Sequence, residues 1–208
     1  MAVDYAIRHA NLDCLVMLRD HAATDHEFEV ATDMLARQLC GPLRRRPTIA
    51  SGDRGGTADY RHGSTGIEFI VNARPDVAEA ERTGLHVGAR GPALAEVQGR
   101  FSLLGYSAHS PEEAAQAARD GADYVTFSPI FPTSSKPGQP GTGLESLAEA
   151  ARAAHPVPVY ALGGITPGRV KACLDAGAYG IAVLSGILDA PDPIAAARAY
   201  QAALQNYA

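Results

Sequence analysis

Three short stretches of this sequence combine side chains and turns suited to holding an anion. The first is Asp123 to Gly143, DYVTFSPIFPTSSKPGQPGTG. A β-branched and aromatic start at Tyr124 to Phe127 breaks at Pro129 and Pro132 into Thr133, Ser134, Ser135 and Lys136. Each hydroxyl and backbone N–H there is a donor, and the lysine adds a positive charge. Pro137 restricts Lys136 to extended backbone. The second and third stretches are Leu162-Gly163-Gly164-Ile165-Thr166 and Leu184-Ser185-Gly186-Ile187. Glycine lets backbone N–H groups come close to an anion, and Ser185 contributes a hydroxyl. Taken singly, the loop could be solvated surface and the glycines could serve only tight strand-to-helix turns. Paired on adjacent strands, they read as a phosphate site, and a bulky side chain at Gly186 would take the anion's place.

Further polar candidates stand at other strand ends: Asn72, Ser107 and His109. His109 precedes Ser-Pro-Glu-Glu, so Ser110 is expected to cap a helix with Glu113 closing a capping box. His86 alternates with apolar neighbours, the pattern of a core histidine with satisfied nitrogens. No His, Cys, Asp or Glu cluster has metal-ligand spacing. Cys14, Cys40 and Cys173 are odd in number and widely spaced, and read as reduced, buried thiols in a cytoplasmic protein.

The elements that must position these residues follow from hydrophobic period. Met1 to Leu12 reads as a lead-in helix, Cys14 to Leu18 as a first strand, His26 to Cys40 as a helix and Pro47 to Ala50 as a second strand. Ser51 to Gly66 is glycine-rich and polar, a loop. From Ile67 onward strands and helices alternate regularly. One unit recurs in EAERTGLHV, AARDGADYVTF and CLDAGAYGIAV, with Gly84, Gly121 and Gly177 as helix stops. Alternation implies parallel pairing and right-handed crossovers. The count gives an α/β chain, a single (β/α)8 TIM barrel domain over residues 1–208 with a degenerate first quarter. An open doubly wound sheet is the alternative, but no G-x-G-x-x-G follows the first strand. In such a barrel the site lies at the C-terminal strand ends, with phosphate after strands seven and eight.

Composition narrows the partners. With 208 residues, 46% hydrophobic and 20% charged, one core-forming domain is the default. The net charge of −5 argues against nucleic acid, and Arg44-Arg45-Arg46 is too short to reverse that. No apolar run approaches the ~20 residues that span a bilayer, and the N-terminus has no apolar signal segment. The expected partner is a small phosphorylated molecule, with no membrane, and a homodimer is compatible with the chain.

SPIFPTSSK, VYALGGITP and AGAYGIAVLSGI, with IVNARPDVA, GLHVG and GYSAHSPEEAAQAARDGADYV in order, resemble the thiamine phosphate synthase and thiazole tautomerase superfamily. The resemblance covers residues 67 to 200 and hardly touches the first 66. It implies a (β/α)8 barrel and a small phosphorylated heterocycle as substrate. The synthase of that family joins a pyrimidine pyrophosphate to a thiazole phosphate, with Mg²⁺ holding the pyrophosphate. By motif, the resemblance puts Thr133, Ser135, Lys136 and Ser107 on the pyrophosphate side. It puts Gly163, Gly164, Ser185 and Gly186 around the thiazole phosphate, and matches Asn72 to the asparagine of an Asn-Asp pair.

This chain departs from that pattern. The Asp of the pair is Ala73, and the second Mg²⁺ carboxylate falls on Gly91 within GARG. The family's Gln-x-Arg-x-Lys on strand two falls in TIASGD if eight strands are kept. If VMLRDH is strand two instead, only Arg19 survives, flanked by Met17 and His21, and a first strand is missing; the first alignment is preferred. Without the two carboxylates a hard cation lacks ligands, so no cofactor is expected and Mg²⁺-dependent synthesis should be weak or absent. The reading is therefore a thiazole phosphate binder closer to the tautomerase branch. The histidine of that branch aligns with Pro129, which leaves proton transfer to His109, or to a hydroxyl with a water, with Lys136 as the second catalytic candidate. The alternatives are a true synthase with substituted residues, a non-catalytic binder keeping the phosphate pocket, and another phosphate-handling barrel such as a sugar-phosphate isomerase.

Overall fold

The computed structural model describes residues 2–8, 14–19, 67–133 and 136–207. Among them, in chain order, are β1 (Ala2–Arg8), β2 (Cys14–Arg19), β3 (Ile67–Asn72), α1 (Pro75–Ala80), β4 (Gly84–Val87), α2 (Leu94–Val97), β5 (Leu104–Ala108) and α3 (Pro111–Arg119). They continue with β6 (Tyr124–Phe127), α4 (Gly143–Ala154), β7 (Val159–Leu162), a 3₁₀ turn (Pro167–Arg169) leading into α5 (Val170–Asp175), β8 (Gly180–Val183), α6 (Ser185–Leu188) and α7 (Pro193–Gln205). The expected helix at 26–40, strand at 47–50, loop at 51–66 and Ser135 lie outside the described residues.

The fold is α/β, built on a curled sheet whose strands from β2 to β8 pair in parallel with their sequence neighbours. Every position of β4, β6 and β8 is buried, as parallel strands covered on both faces require. Two apolar clusters result. One fills the space between sheet and helices. The other includes Met17, Ile70, Tyr124, Tyr160 and Ala182 from five different strands, and fills the concave interior.

The start of the chain differs from expectation. Ala2–Arg8 is a strand, not a helix: AVDYAIR alternates Val3, Tyr5 and Ile7 with smaller or polar residues, the period of a strand. It pairs antiparallel with β2 on one side and with β8 on the other, so the ring of strands closes through it. The expected eight parallel βα units are thus replaced, at the first position, by one arm of an antiparallel pair. Cys14–Arg19 is the second strand and pairs directly with β3. The disfavoured alignment, in which Arg19 remains of the strand-two motif, is the one this order supports.

Helix boundaries follow local chemistry. Ser110 caps α3 by accepting from Glu113 N at 3.2 Å, with Pro111 at the first helical position. The Glu113 carboxylate closes the box on His109 N at 2.7 Å, one residue earlier than expected. Asp192 caps α7 by accepting from the N–H groups of Ile194 and Ala195. Gly121 and Gly177 take the left-handed stop conformation, at φ 92° and 93°. Gly84 does not: Arg82, at φ 54°, makes that turn, and Gly84 opens β4.

Candidate functional site

The C-terminal ends of the parallel strands open into one cavity of about 1140 Å³. Asn72, Ser107, His109, Thr133, Lys136, Gly163, Gly164, Ser185 and Gly186 all line it. These are the candidate residues read from the sequence, apart from Ser135, which lies outside the described residues. They come from β3, β5 and the segments after β5, β6, β7 and β8, so parallel topology alone brings them together.

The loop after β6 is stitched to the end of β7. Ile130 N donates to Leu162 O at 2.9 Å and Phe131 N to Gly163 O at 3.1 Å. This explains the glycine pair. Gly163 (φ 96°) and Gly164 (φ 63°) hold left-handed backbone, and a Cβ would stand 2.8 Å from Pro129 Cα or 2.5 Å from Pro132 O. The two glycines therefore let the β6 loop dock as well as lining the cavity. Gly186 is also closely approached: a Cβ there would meet Tyr200 Oη at 2.2 Å. Tyr200 is buried, donates to Ile165 O at 2.9 Å and lines the cavity, and burial raises the pKa of its phenol. A bulky residue at Gly186 would strike Tyr200, which corrects the expectation that it would act only by filling the anion's place.

His109 is anchored on the same loop. Its Nδ1 lies 2.6 Å from Ser128 O. A carbonyl only accepts, so this nitrogen carries the hydrogen and, in the neutral ring, Nε2 keeps its lone pair. Lys136 is half-buried, and no carboxylate among the described residues pairs with it. His86 is 2% exposed, with Nδ1 at 2.9 Å from Tyr124 Oη and Nε2 at 2.8 Å from Ser107 Oγ. It is the satisfied core histidine its apolar neighbours suggested.

Two cations in the lining were not singled out from the sequence. Arg90, in the GARG turn after β4, is exposed at the mouth. Arg169 donates through Nη1 to Gly164 O at 2.7 Å and stacks 4.4 Å from the Phe131 ring centre. Its signal was its place five residues after the glycine pair, where the next helical turn points back to the mouth. With Lys136 these make three cations, and no carboxylate lines the cavity among the described residues. The field favours a multiply charged anion.

Among the described residues, the lining does not fit a hard divalent cation, since it holds no carboxylate. Ala73 and Gly91, at the positions where the family resemblance calls for carboxylates, both line the mouth, and no group of acidic or histidine ligands occurs among the described residues. Ala73 holds φ 59°, a conformation that Asn or Asp tolerates better than Ala. The backbone there keeps a turn suited to the acid it lacks.

Among the described residues no helix is long and apolar enough to cross a membrane. A family model described as thiamine monophosphate synthase matches residues 60–187. A thiamine-phosphate synthase of Thermus thermophilus is 39% identical over 193 residues, covering 87% of this chain and 92% of that protein. That span reaches into the first 66 residues, further than the motifs did. A thiamine-phosphate synthase of Roseiflexus castenholzii is 45% identical over 141 residues, covering 65% of this chain and 61% of its own. Among solved structures, a thiamine phosphate pyrophosphorylase from Pyrococcus furiosus superposes with a TM-score of 0.73 at 24% identity, over 96% of this chain and 86% of that one, a likeness of fold. These relatives carry synthase names. The leaning toward the tautomerase branch gives way to the alternative of a synthase with substituted residues.

Proposed function

The chain belongs to the thiamine monophosphate synthase family, and from that premise we propose that it is a transferase of the synthase type, joining a pyrimidine pyrophosphate to a thiazole phosphate. One observation carries the reading: a single cavity gathers nine candidate residues, Lys136 among them, and two further cations, Arg90 and Arg169, at the C-terminal strand ends, with no carboxylate among its described lining. We also read the closed ring of strands as a one-domain (β/α)8 barrel whose first quarter is degenerate.

In this reading Gly163, Gly164, Ser185 and Gly186 hold the thiazole phosphate. Ser107, Thr133, Ser135 and Lys136 take the pyrophosphate, and Asn72 positions the pyrimidine. The carbon–nitrogen bond to the thiazole forms as the carbon–oxygen bond to pyrophosphate breaks, so negative charge grows on the leaving group. Lys136 and Arg90 are placed to stabilise that charge directly, in a cavity whose described lining holds no carboxylate. Lys136 is a point charge on a flexible stem and follows the departing oxygens more easily than a fixed dipole. His109 holds the β6 loop against the cavity and offers Nε2 as an acceptor.

The test offers the protein both reactions in parallel: synthesis from the two phosphorylated heterocycles, and isomerisation of a carboxythiazole phosphate. Thiamin phosphate and pyrophosphate are the expected products, below roughly 1 s⁻¹ because the metal ligands are replaced. Isomerisation alone would reassign the chain to the tautomerase branch. Ligand binding with neither turnover would make it a non-catalytic binder.

A further inference from the structure

The Ser107 hydroxyl is wired to the interior of the sheet. The wiring follows from strand register. Gly105 and Ser107 lie two apart on β5 and so share a face. Gly105 pairs with His86 on β4 and with Tyr124 on β6, and Ser107 pairs with Thr126 on β6. The two rings meet over Gly105, where a Cβ would stand 2.1 Å from Tyr124 Cζ and 2.5 Å from His86 Nδ1. The missing side chain is what allows the 2.9 Å contact between Tyr124 Oη and His86 Nδ1. On its other side the imidazole reaches Ser107 Oγ at 2.8 Å, and Thr126 Oγ1 donates to the same oxygen at 3.4 Å. His86 and Tyr124 are each 2% exposed, whereas Ser107 is half-buried and lines the cavity.

A serine hydroxyl has one hydrogen and two lone pairs, so the histidine tautomer decides what Ser107 shows the cavity. With hydrogen on Nε2, the phenol donates to Nδ1, and Nε2–H and Thr126 fill both lone pairs of Ser107. Its own O–H is then left to donate into the cavity. With hydrogen on Nδ1, Ser107 must spend its only hydrogen on Nε2 and turns a lone pair toward the ligand, which repels an anion.

We propose that His86 and Tyr124 are positioning residues that hold Ser107 as a hydrogen-bond donor to an anionic oxygen of the substrate, through the Nε2–H tautomer. The inference rests on the reading above that this cavity takes a phosphorylated ligand. It assigns a use to the buried histidine and to the glycine beneath it that core packing alone does not require.

The test is nuclear magnetic resonance of the intact protein carrying ¹⁵N in its histidine rings, with and without inorganic pyrophosphate, alongside pyrophosphate titrations of the wild type, Tyr124→Phe and Ser107→Ala. The wild-type His86 ring is expected to show a protonated Nε2 and a bare Nδ1 at neutral pH. Tyr124→Phe should move it toward the other tautomer and weaken pyrophosphate binding about tenfold or more, as Ser107→Ala does by removing a donor to a charged group. A hydrogen on Nδ1 in the wild type overturns the proposal, whether or not Tyr124→Phe folds. So does unchanged affinity in a folded Tyr124→Phe. Failure of the wild type to bind pyrophosphate at all would count against the anion-site reading, and the ring signals would still decide the tautomer.

Discussion

Lys136 gives the sharpest residue-scale prediction. It is a half-buried ammonium in the cavity lining with no described acidic partner. Replacing it with alanine should weaken binding of a phosphorylated ligand by about 1.5–3 kcal/mol, the loss of a hydrogen bond to a charged group. Stability should move by no more than about 0.5 kcal/mol, as at a surface position. Calorimetric titration and thermal melts of the same samples separate the two; unchanged affinity refutes the role, and a large stability loss would make Lys136 part of the scaffold. Gly186 should behave in the opposite way. A Cβ 2.2 Å from the buried Tyr200 hydroxyl has no room, so Gly186→Val should destabilise the fold by about 1–3 kcal/mol through overpacking, visible in denaturant unfolding without any ligand. An unperturbed unfolding midpoint would show that Tyr200 yields. The residues themselves were legible, because hydroxyls, glycines and a lysine at strand ends announce an anion site by type alone. What each glycine packs against was not legible. Pro129, Pro132 and Tyr200 approach Gly163, Gly164 and Gly186 from other segments of the chain, and Arg169 joins the site only once its turn has formed.

The elements between β3 and α7 were readable because each carries its own start and stop. Ser110 and Pro111 open α3, Asp192 and Pro193 open α7, and Gly121 and Gly177 end their helices in left-handed backbone. The errors lie where the local signal was ambiguous. Gly84 looked like a third stop, yet Arg82 makes the turn. AVDYAIR was short enough to pass for helix until strands supplied by the rest of the chain paired with it. Within α5, Cys173 offers a test of burial at this scale. Removal from water pushes its thiol up from 9.0 to about 11, against a lowering pull from the Arg169 guanidinium. The folded state thus holds that proton more tightly than the unfolded chain. Its contribution to stability is complete below pH 9 and lost as pH rises toward about 11. Tyr200 and Tyr106 shift upward too, from 10.0, and add losses of the same sign at higher pH. Unfolding free energies of the wild type and Cys173→Ala across that range isolate the thiol: the wild type should fall more steeply. Parallel curves would mean that the thiol reaches water.

At the scale of the whole molecule, alternation of strand and helix announced a curled parallel sheet, and parallel topology explains why residues from six segments share one cavity. A barrel was expected from the strand count, but not the strand that closes it: β1 pairs with β8 from the far end of the chain and runs against both neighbours. That closure also moved the strand-two position to Cys14–Arg19, and with it the alignment of Arg19. The described lining of the mouth carries Arg90, Lys136 and Arg169, while Ala73 and Gly91 stand where the resemblance places metal carboxylates. The measurement that tests this account most directly is a crystal structure of the protein soaked, in the presence of a chelator, with a thiazole phosphate and inorganic pyrophosphate. The thiazole phosphate is expected at Gly163, Gly164, Ser185 and Gly186, and the pyrophosphate against Ser107 and Lys136. Anions bound away from these groups, or pyrophosphate that enters only when Mg²⁺ replaces the chelator, would contradict it.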